Sequence, residues 1–171
     1  MLSETTRQRI DRELAKYPAD QKQSAVIAAL SIVQAERGWI SPESEVEVAE
    51  YIGMPPIAVH EVVTFYNMFN TRPVGRFKLN VCTNLPCQLG GGAQAARYLS
   101  EKLGVGLGET TADGLFTLQE CECLGACGDA PVALVNDRRM CSFLDRERID
   151  ALLESLRSQA RSEAQTGGQA S

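Results

Sequence analysis

Four of the chain's six cysteines form two close pairs, Cys82-x4-Cys87 and Cys123-x3-Cys127, far apart in the sequence. Two short-range pairs of sulfur donors are what a tetrahedral thiolate-ligated centre needs, whether an iron–sulfur cluster or zinc. A two-iron cluster divides its ligands two by two, so Cys82 with Cys87 and Cys123 with Cys127 make a natural partition. Zinc takes the same four thiolates around one ion, and the spacing alone leaves both metals open. A four-residue spacer leading from a strand into a helix is unlike the tight knuckle of a zinc ribbon. A redox-active dithiol would show Cys-x-x-Cys, which this chain lacks. Four buried thiols without a metal fit poorly with pairs set in Gly-rich loops.

The neighbouring residues suit a metal centre. Gly90, Gly91, Gly92, Gly125 and Gly128 let the backbone wrap closely and direct N–H groups at sulfur, while Pro86 and Pro131 stiffen the loops. No Lys or Arg lies between Leu79 and Gln94, and the second loop carries Glu122 and Asp129. Carboxylates without cations disfavour added negative charge, which predicts a low reduction potential for a cluster held here. Cys121, two residues before Cys123, shares its strand face and competes as a ligand through Cys121-x5-Cys127, or else packs as a small apolar residue. Cys141 has no partner nearby in sequence and reads as core packing.

Other motifs do not carry chemistry. His60, the only histidine, begins His60-Glu61 without the second His of a zinc-protease helix. Gly104-x-Gly106-x-Gly108 follows a helix and lacks dinucleotide-loop spacing. Gly90-Gly91-Gly92 before a helix could cradle phosphate, but its place beside Cys87 ties it to the thiols. No Ser-His-Asp or paired-carboxylate arrangement is present, and independent bond chemistry is not predicted.

The elements that must deliver the cysteines follow from periodicity. Residues 1–71 read as an N-terminal helical bundle. Ile10 and Leu14 mark a first helix stopped at Pro18, and Ala25 to Val33 a second that ends at Gly38. Ser41-Pro42 caps a third that runs to Gly53, and Pro55-Pro56 opens a fourth. After the turn-rich Thr71 to Gly75, residues 76–157 give an α/β domain in the order β-α-β-β-β-α. Its first strand, with Phe77, Leu79 and Val81, runs straight into Cys82, and Phe116 and Leu118 mark a second leading to Cys121. Val132 to Val135 and Met140 to Phe143 flank an Asn136-Asp137 hairpin turn, and Ile149, Leu152, Leu153 and Leu156 line the last helix. The class is α+β, with a thioredoxin-like sheet as the second part. Residues 158–171 are polar and predict a disordered tail.

At 171 residues, the chain can bury a core without disulfides. Its 17 basic and 22 acidic side chains show no basic run, which disfavours nucleic-acid binding. No signal-peptide pattern or membrane-spanning apolar run is visible, so a cytoplasmic protein with reduced thiols, not inserted in a membrane, is predicted.

Val81-Cys82-Thr83-Asn84-Leu85-Pro86-Cys87-Gln88-Leu89-Gly90 and Glu122-Cys123-Leu124-Gly125-Ala126-Cys127-Gly128-Asp129-Ala130-Pro131 together resemble the thioredoxin-like [2Fe-2S] ferredoxin family, the E-type subunit of NADH-quinone oxidoreductase (respiratory complex I). Gln34 to Ile40, Ala49 to Met54, Val63 to Phe69 and Pro73-Val74-Gly75 extend the resemblance over most of the chain, about Tyr17 to Leu156. It implies an electron-transfer subunit of an NADH dehydrogenase with one [2Fe-2S] cluster on Cys82, Cys87, Cys123 and Cys127. It implies docking onto a flavoprotein subunit, the F-type partner in complex I, that holds FMN, NADH and a [4Fe-4S] cluster. That pair would sit within a cytoplasmic-side peripheral arm that contains further subunits. The cluster would accept an electron from reduced flavin and serve as a side store. NAD-linked hydrogenase and formate dehydrogenase modules reuse the same subunit pair, and a colourless zinc-stabilised assembly protein is the alternative of a different class. Trp39, Phe65, Tyr66, Met68 and Phe69 are candidate partner contacts, or else bundle core.

Overall fold

A computed structural model describes residues 1–167. The chain divides into two compact units, Met1–Val74 and a second that begins at Gly75.

The first unit is helical: α1 (Glu4–Leu14), α2 (Val26–Arg37), α3 (Pro42–Ile52) and α4 (Pro56–Phe65), with a short 3₁₀ turn at Lys22–Ala25. The ends follow local chemistry. Ser3 accepts from the Thr6 N–H and Ser41 from the Ser44 N–H, while Gly38 and Gly53 close α2 and α3 in the left-handed conformation. Ile10, Leu30, Val33, Ile40, Val48, Val59 and Val63 form its core. Phe69 belongs to that core too, whereas Phe65 is 79% exposed.

The second unit holds a five-stranded mixed sheet in the order β2-β3-β1-β4-β5. The strands are β1 (Phe77–Cys82), β2 (Glu109–Thr110), β3 (Phe116–Cys121), β4 (Ala133–Val135) and β5 (Arg139–Cys141), and the helices are α5 (Leu85–Leu89), α6 (Gly92–Leu103) and α7 (Arg146–Gly167). β1 and β3 are parallel, which requires the long crossover through α6, and the other pairings are antiparallel. Phe77, Leu79, Val81, Phe116, Leu118, Ala133 and Val135 pack against Ala95, Ala96, Leu99, Ile149, Leu152, Leu153 and Leu156. The alternate residues of β1, Lys78 and Asn80, are also buried. Both reach Asp137, with Lys78 Nζ 2.6 Å from Asp137 Oδ2. Asp137 and Asn136, both at positive φ, form the β4–β5 turn that their types predict.

Helices followed by a mixed sheet with packed helices are the α+β arrangement that the periodicity predicts. Two small elements are additional, α5 and β2. The predicted tail is corrected over residues 158–167, which continue α7 to Gly167. Apolar periodicity fades there, but Arg, Glu, Ala and Gln keep helix propensity. Ala160 packs on the core, Arg161 pairs with Glu154, and Arg76 pairs with Glu163. The rest of the predicted tail, 168–171, lies outside the described residues.

Candidate metal centre

β1 ends at Cys82, and the chain turns through Thr83 and Asn84 into α5, whose Pro86 occupies the first turn and whose Cys87 faces inward. Cys82 and Cys87 are both buried, and with Val132 they form a small separate core against which Cys121, Leu124, Ala126 and Ala130 pack. β3 ends at Cys121, and Glu122 follows it directly before the second pair. Cys123 and Cys127 lie in the loop between β3 and β4, are exposed, and have their sulfurs 3.9 Å apart. Two thiolates on one tetrahedral metal, at about 2.3 Å each, stand roughly 3.8 Å apart, so this pair is already at ligand spacing. The Gly125 N–H donates to Cys123 Sγ at 3.4 Å, with Gly125 at φ +72, a conformation that favours glycine.

Burial pushes the Cys87 thiol up to about 11, helped by its hydrogen bond to Cys82 and by the charges of Cys82, Cys127 and Cys123. A hydrogen bond to Cys123 raises Cys127, which also feels Cys82. The two distant pairs therefore stand within electrostatic reach of each other. Crowded thiols resist losing protons in the absence of a cation, and a bound metal inverts that cost. The donor set thus fits a metal centre. It is arranged as two pairs: among the described residues no three His, Cys, Asp or Glu side chains close on one point as a single ion requires.

Glycine shapes the approach. A Cβ on Gly92 would lie 2.8 Å from the Cys87 carbonyl oxygen and 3.0 Å from that of Cys82, so α6 can start here only without a side chain. A Cβ on Gly90 would lie 2.7 Å from the Ala130 Cβ, where the first loop meets the second. Of the glycines expected to direct N–H groups at sulfur, Gly125 does so, and Gly90 and Gly92 instead permit close packing.

The sequence model of the thioredoxin-like [2Fe-2S] ferredoxin family matches residues 10–157. The chain belongs to that family. Among its relatives, NADH-quinone oxidoreductase subunit 2 of Thermus thermophilus is 42% identical over 90% of this chain and 85% of its own. An E-type NADH-quinone oxidoreductase subunit of Rhizobium meliloti is 44% identical over 92% of each chain. An NAD+-reducing [NiFe]-hydrogenase in its air-oxidised crystal structure superposes with a TM-score of 0.67 at 27% identity, over 79% of this chain. The present chain spans only 23% of that hydrogenase chain. Membership makes a [2Fe-2S] cluster the cofactor, and the second unit is this ferredoxin's thioredoxin-like sheet.

The ferredoxin's other two cysteines, Cys121 and Cys141, belong to neither thiol pair and pack against the two apolar clusters of the second unit. Cys121 stands opposite Cys82 in the β1–β3 ladder, and burial, with the charges of Cys82 and Asp137, pushes it up to about 12. Cys141 is half-buried against the sheet–helix core. His60 is on α4 in the first unit, with Nδ1 2.8 Å from Glu45 Oε2. Sequence reasoning names Glu122 only for its charge and misses Asn84 and the bond between them: the Asn84 Nδ2 donates to Glu122 Oε2 at 2.9 Å and links the two cysteine loops. Side-chain bonds between such distant residues leave no local pattern.

Proposed function

We propose that this ferredoxin is the electron-transfer subunit of an NADH-quinone oxidoreductase and that Cys82, Cys87, Cys123 and Cys127 hold its cluster. When bound, a [2Fe-2S] cluster supplies reversible one-electron storage. The chain's own residues do the rest. Buried Cys82 and Cys87 anchor one side in a water-poor pocket, Cys123 and Cys127 form the exposed side, and the Gly125 N–H supports a sulfur. The exposed pair sets the side from which an electron enters or leaves. FMN and NADH belong on a partner flavoprotein subunit, the F-type partner in complex I, in a cytoplasmic-side peripheral arm with other subunits. No helix among the described residues is long and apolar enough to cross a membrane, in keeping with peripheral placement.

The observation that carries this reading is the 3.9 Å Cys123–Cys127 pair within charge reach of buried Cys87, in a chain 44% identical to an E-type NADH-quinone oxidoreductase subunit. The hydrogenase likeness supports a second host of the same kind, an NAD-linked hydrogenase module. Anaerobic purification should give reddish-brown protein with about two irons and two sulfides per chain and an EPR signal on reduction. Folded, colourless, zinc-loaded protein would overturn the reading. Co-expression with the flavoprotein subunit of the same operon or complex should give a co-purifying pair, and the other subunits recovered with it identify the host.

A further inference from the structure

The two cysteine loops leave the sheet side by side, because β1 and β3 are parallel and end in register at Cys82 and Cys121. Backbone pairing stops at that rung, and side chains continue it. Thr83 Oγ1 donates to Glu120 Oε2 at 3.2 Å, and Asn84 Nδ2 donates to Glu122 Oε2 at 2.9 Å. Asn84 is the N-cap residue of α5, where asparagine ordinarily turns its side chain onto the helix's own N–H groups. Here it makes no capping bond and reaches the other loop instead. It thereby joins the helix that carries Cys87 to the residue immediately before Cys123. Farther along, the same loops meet again where Gly90 abuts Ala130.

We propose that the Asn84–Glu122 bond is a clamp that fixes one thiol pair relative to the other, and that the Glu122 carboxylate holds the cluster's reduction potential down. This rests on the assignment of the cluster to Cys82, Cys87, Cys123 and Cys127. A clamp residue acts through the cysteines it positions, so Asn84 and Glu122 are positioning residues. Glu122 has a second effect through its charge, because a carboxylate beside a centre that gains an electron opposes reduction. Its charge is felt at the neighbouring Cys121 thiol.

Position and charge separate cleanly by substitution. Glu122→Gln removes the charge yet keeps an oxygen to accept from Asn84. Asn84→Ala keeps the charge and removes the bond. Asn84→Thr supplies a hydroxyl that can cap α5, which Asn84 does not do, and loses the reach to Glu122, so it separates the clamp from the stability of the helix.

The test uses the full chain, purified anaerobically, with two readouts: the midpoint potential from an EPR-monitored titration, and the rate of cluster loss to an iron chelator. Glu122→Gln is expected to move the midpoint to more positive potential while cluster lifetime stays within about twofold of the parent. Asn84→Ala and Asn84→Thr are expected to shorten that lifetime roughly two- to tenfold, the scale of one partly exposed hydrogen bond. An unmoved midpoint in Glu122→Gln overturns the role of its charge, and a parental lifetime in Asn84→Thr overturns the clamp. Absence of a [2Fe-2S] signal from the unsubstituted chain overturns the assignment of the site itself. A normal parental signal with unmoved variants sinks both the clamp and the charge role and leaves the site assignment standing.

Discussion

Cys82 and Cys121 face each other on the last rung of the parallel β1–β3 ladder, so the strand that delivers a buried thiol of the first pair ends beside a fifth cysteine. Proximity makes Cys121 a rival ligand, but geometry sets it apart. Cys123 and Cys127 are 3.9 Å from each other on an exposed loop, whereas Cys121 is still within the sheet and packs against Cys82, Cys87 and Val132.

Cys121→Val should therefore retain the iron and sulfide of the parent, with an unchanged EPR line shape. Cys123→Ser should lose most of both. Iron and acid-labile sulfide assays, with EPR on reduced samples, check the pair. Iron loss in Cys121→Val together with retention in Cys123→Ser would transfer the ligand role to Cys121.

The start of α6 gives a second prediction. A methyl on Gly92 would meet the carbonyl oxygens of Cys87 and Cys82 at 2.8 and 3.0 Å, and both neighbours are backbone with little room to move. Gly92→Ala should cost about 1–3 kcal/mol, the range for overpacking, and should lower cluster loading because the residues displaced are those that bear the thiols. Gly104→Ala is the control. Its Cβ meets nothing within 4 Å, but φ is +67, so it should cost about 1 kcal/mol and leave loading alone. Denaturant melts and iron assays on both variants distinguish local strain from damage to the site.

Much of this was legible in the sequence, for physical reasons that differ by element. β1 was readable because Phe77, Leu79 and Val81 alternate, and the four helices of the first unit because each has its own cap or stop, such as Ser41-Pro42 and Gly53. β2 was not, because Glu109 and Thr110 are both exposed and two residues carry no period. α5 is a single turn around Cys87 and is likewise too short to show one. The end of α7 escaped because its last turns are held by helix propensity and by Arg76, which lies far away in sequence. The cysteine pairs marked the candidate site, but the Asn84–Glu122 link could not be seen without the parallel register that brings its two loops together.

The aromatic residues of the first unit separate into two groups. Phe69 is buried among Val33, Ile40 and Val63, so Phe69→Ala should cost about 3–5 kcal/mol. Phe65 is 79% exposed and Tyr66 39% exposed, with their rings edge to face at 5.0 Å. Phe65→Ala should change stability by less than about 0.5 kcal/mol, as surface substitutions usually do. If Phe65 is one of the flavoprotein contacts, the same variant should co-purify with that subunit in reduced yield. Undiminished recovery of the pair would remove Phe65 from the interface.

The Lys78–Asp137 pair gives the last prediction. Lys78 sits in the central strand with its side chain 3% exposed, and Asp137 supplies a carboxylate from the β4–β5 turn at 2.6 Å. The same carboxylate accepts from Asn80, so one turn residue serves two buried polar side chains. Asp137→Asn tolerates the positive φ at this position, and so isolates the loss of charge from backbone strain. It should destabilise the second unit by about 2–3 kcal/mol. That is below the range for breaking a wholly buried pair, because the Asp137 side chain is 27% exposed. Lys78→Met combined with Asp137→Asn should recover most of the loss, since burying a charge is what makes the single variant costly. Urea unfolding of the parent and the two variants decides the point: equal losses in the single and double variants would mean that the turn geometry, and not the ion pair, holds the end of this sheet.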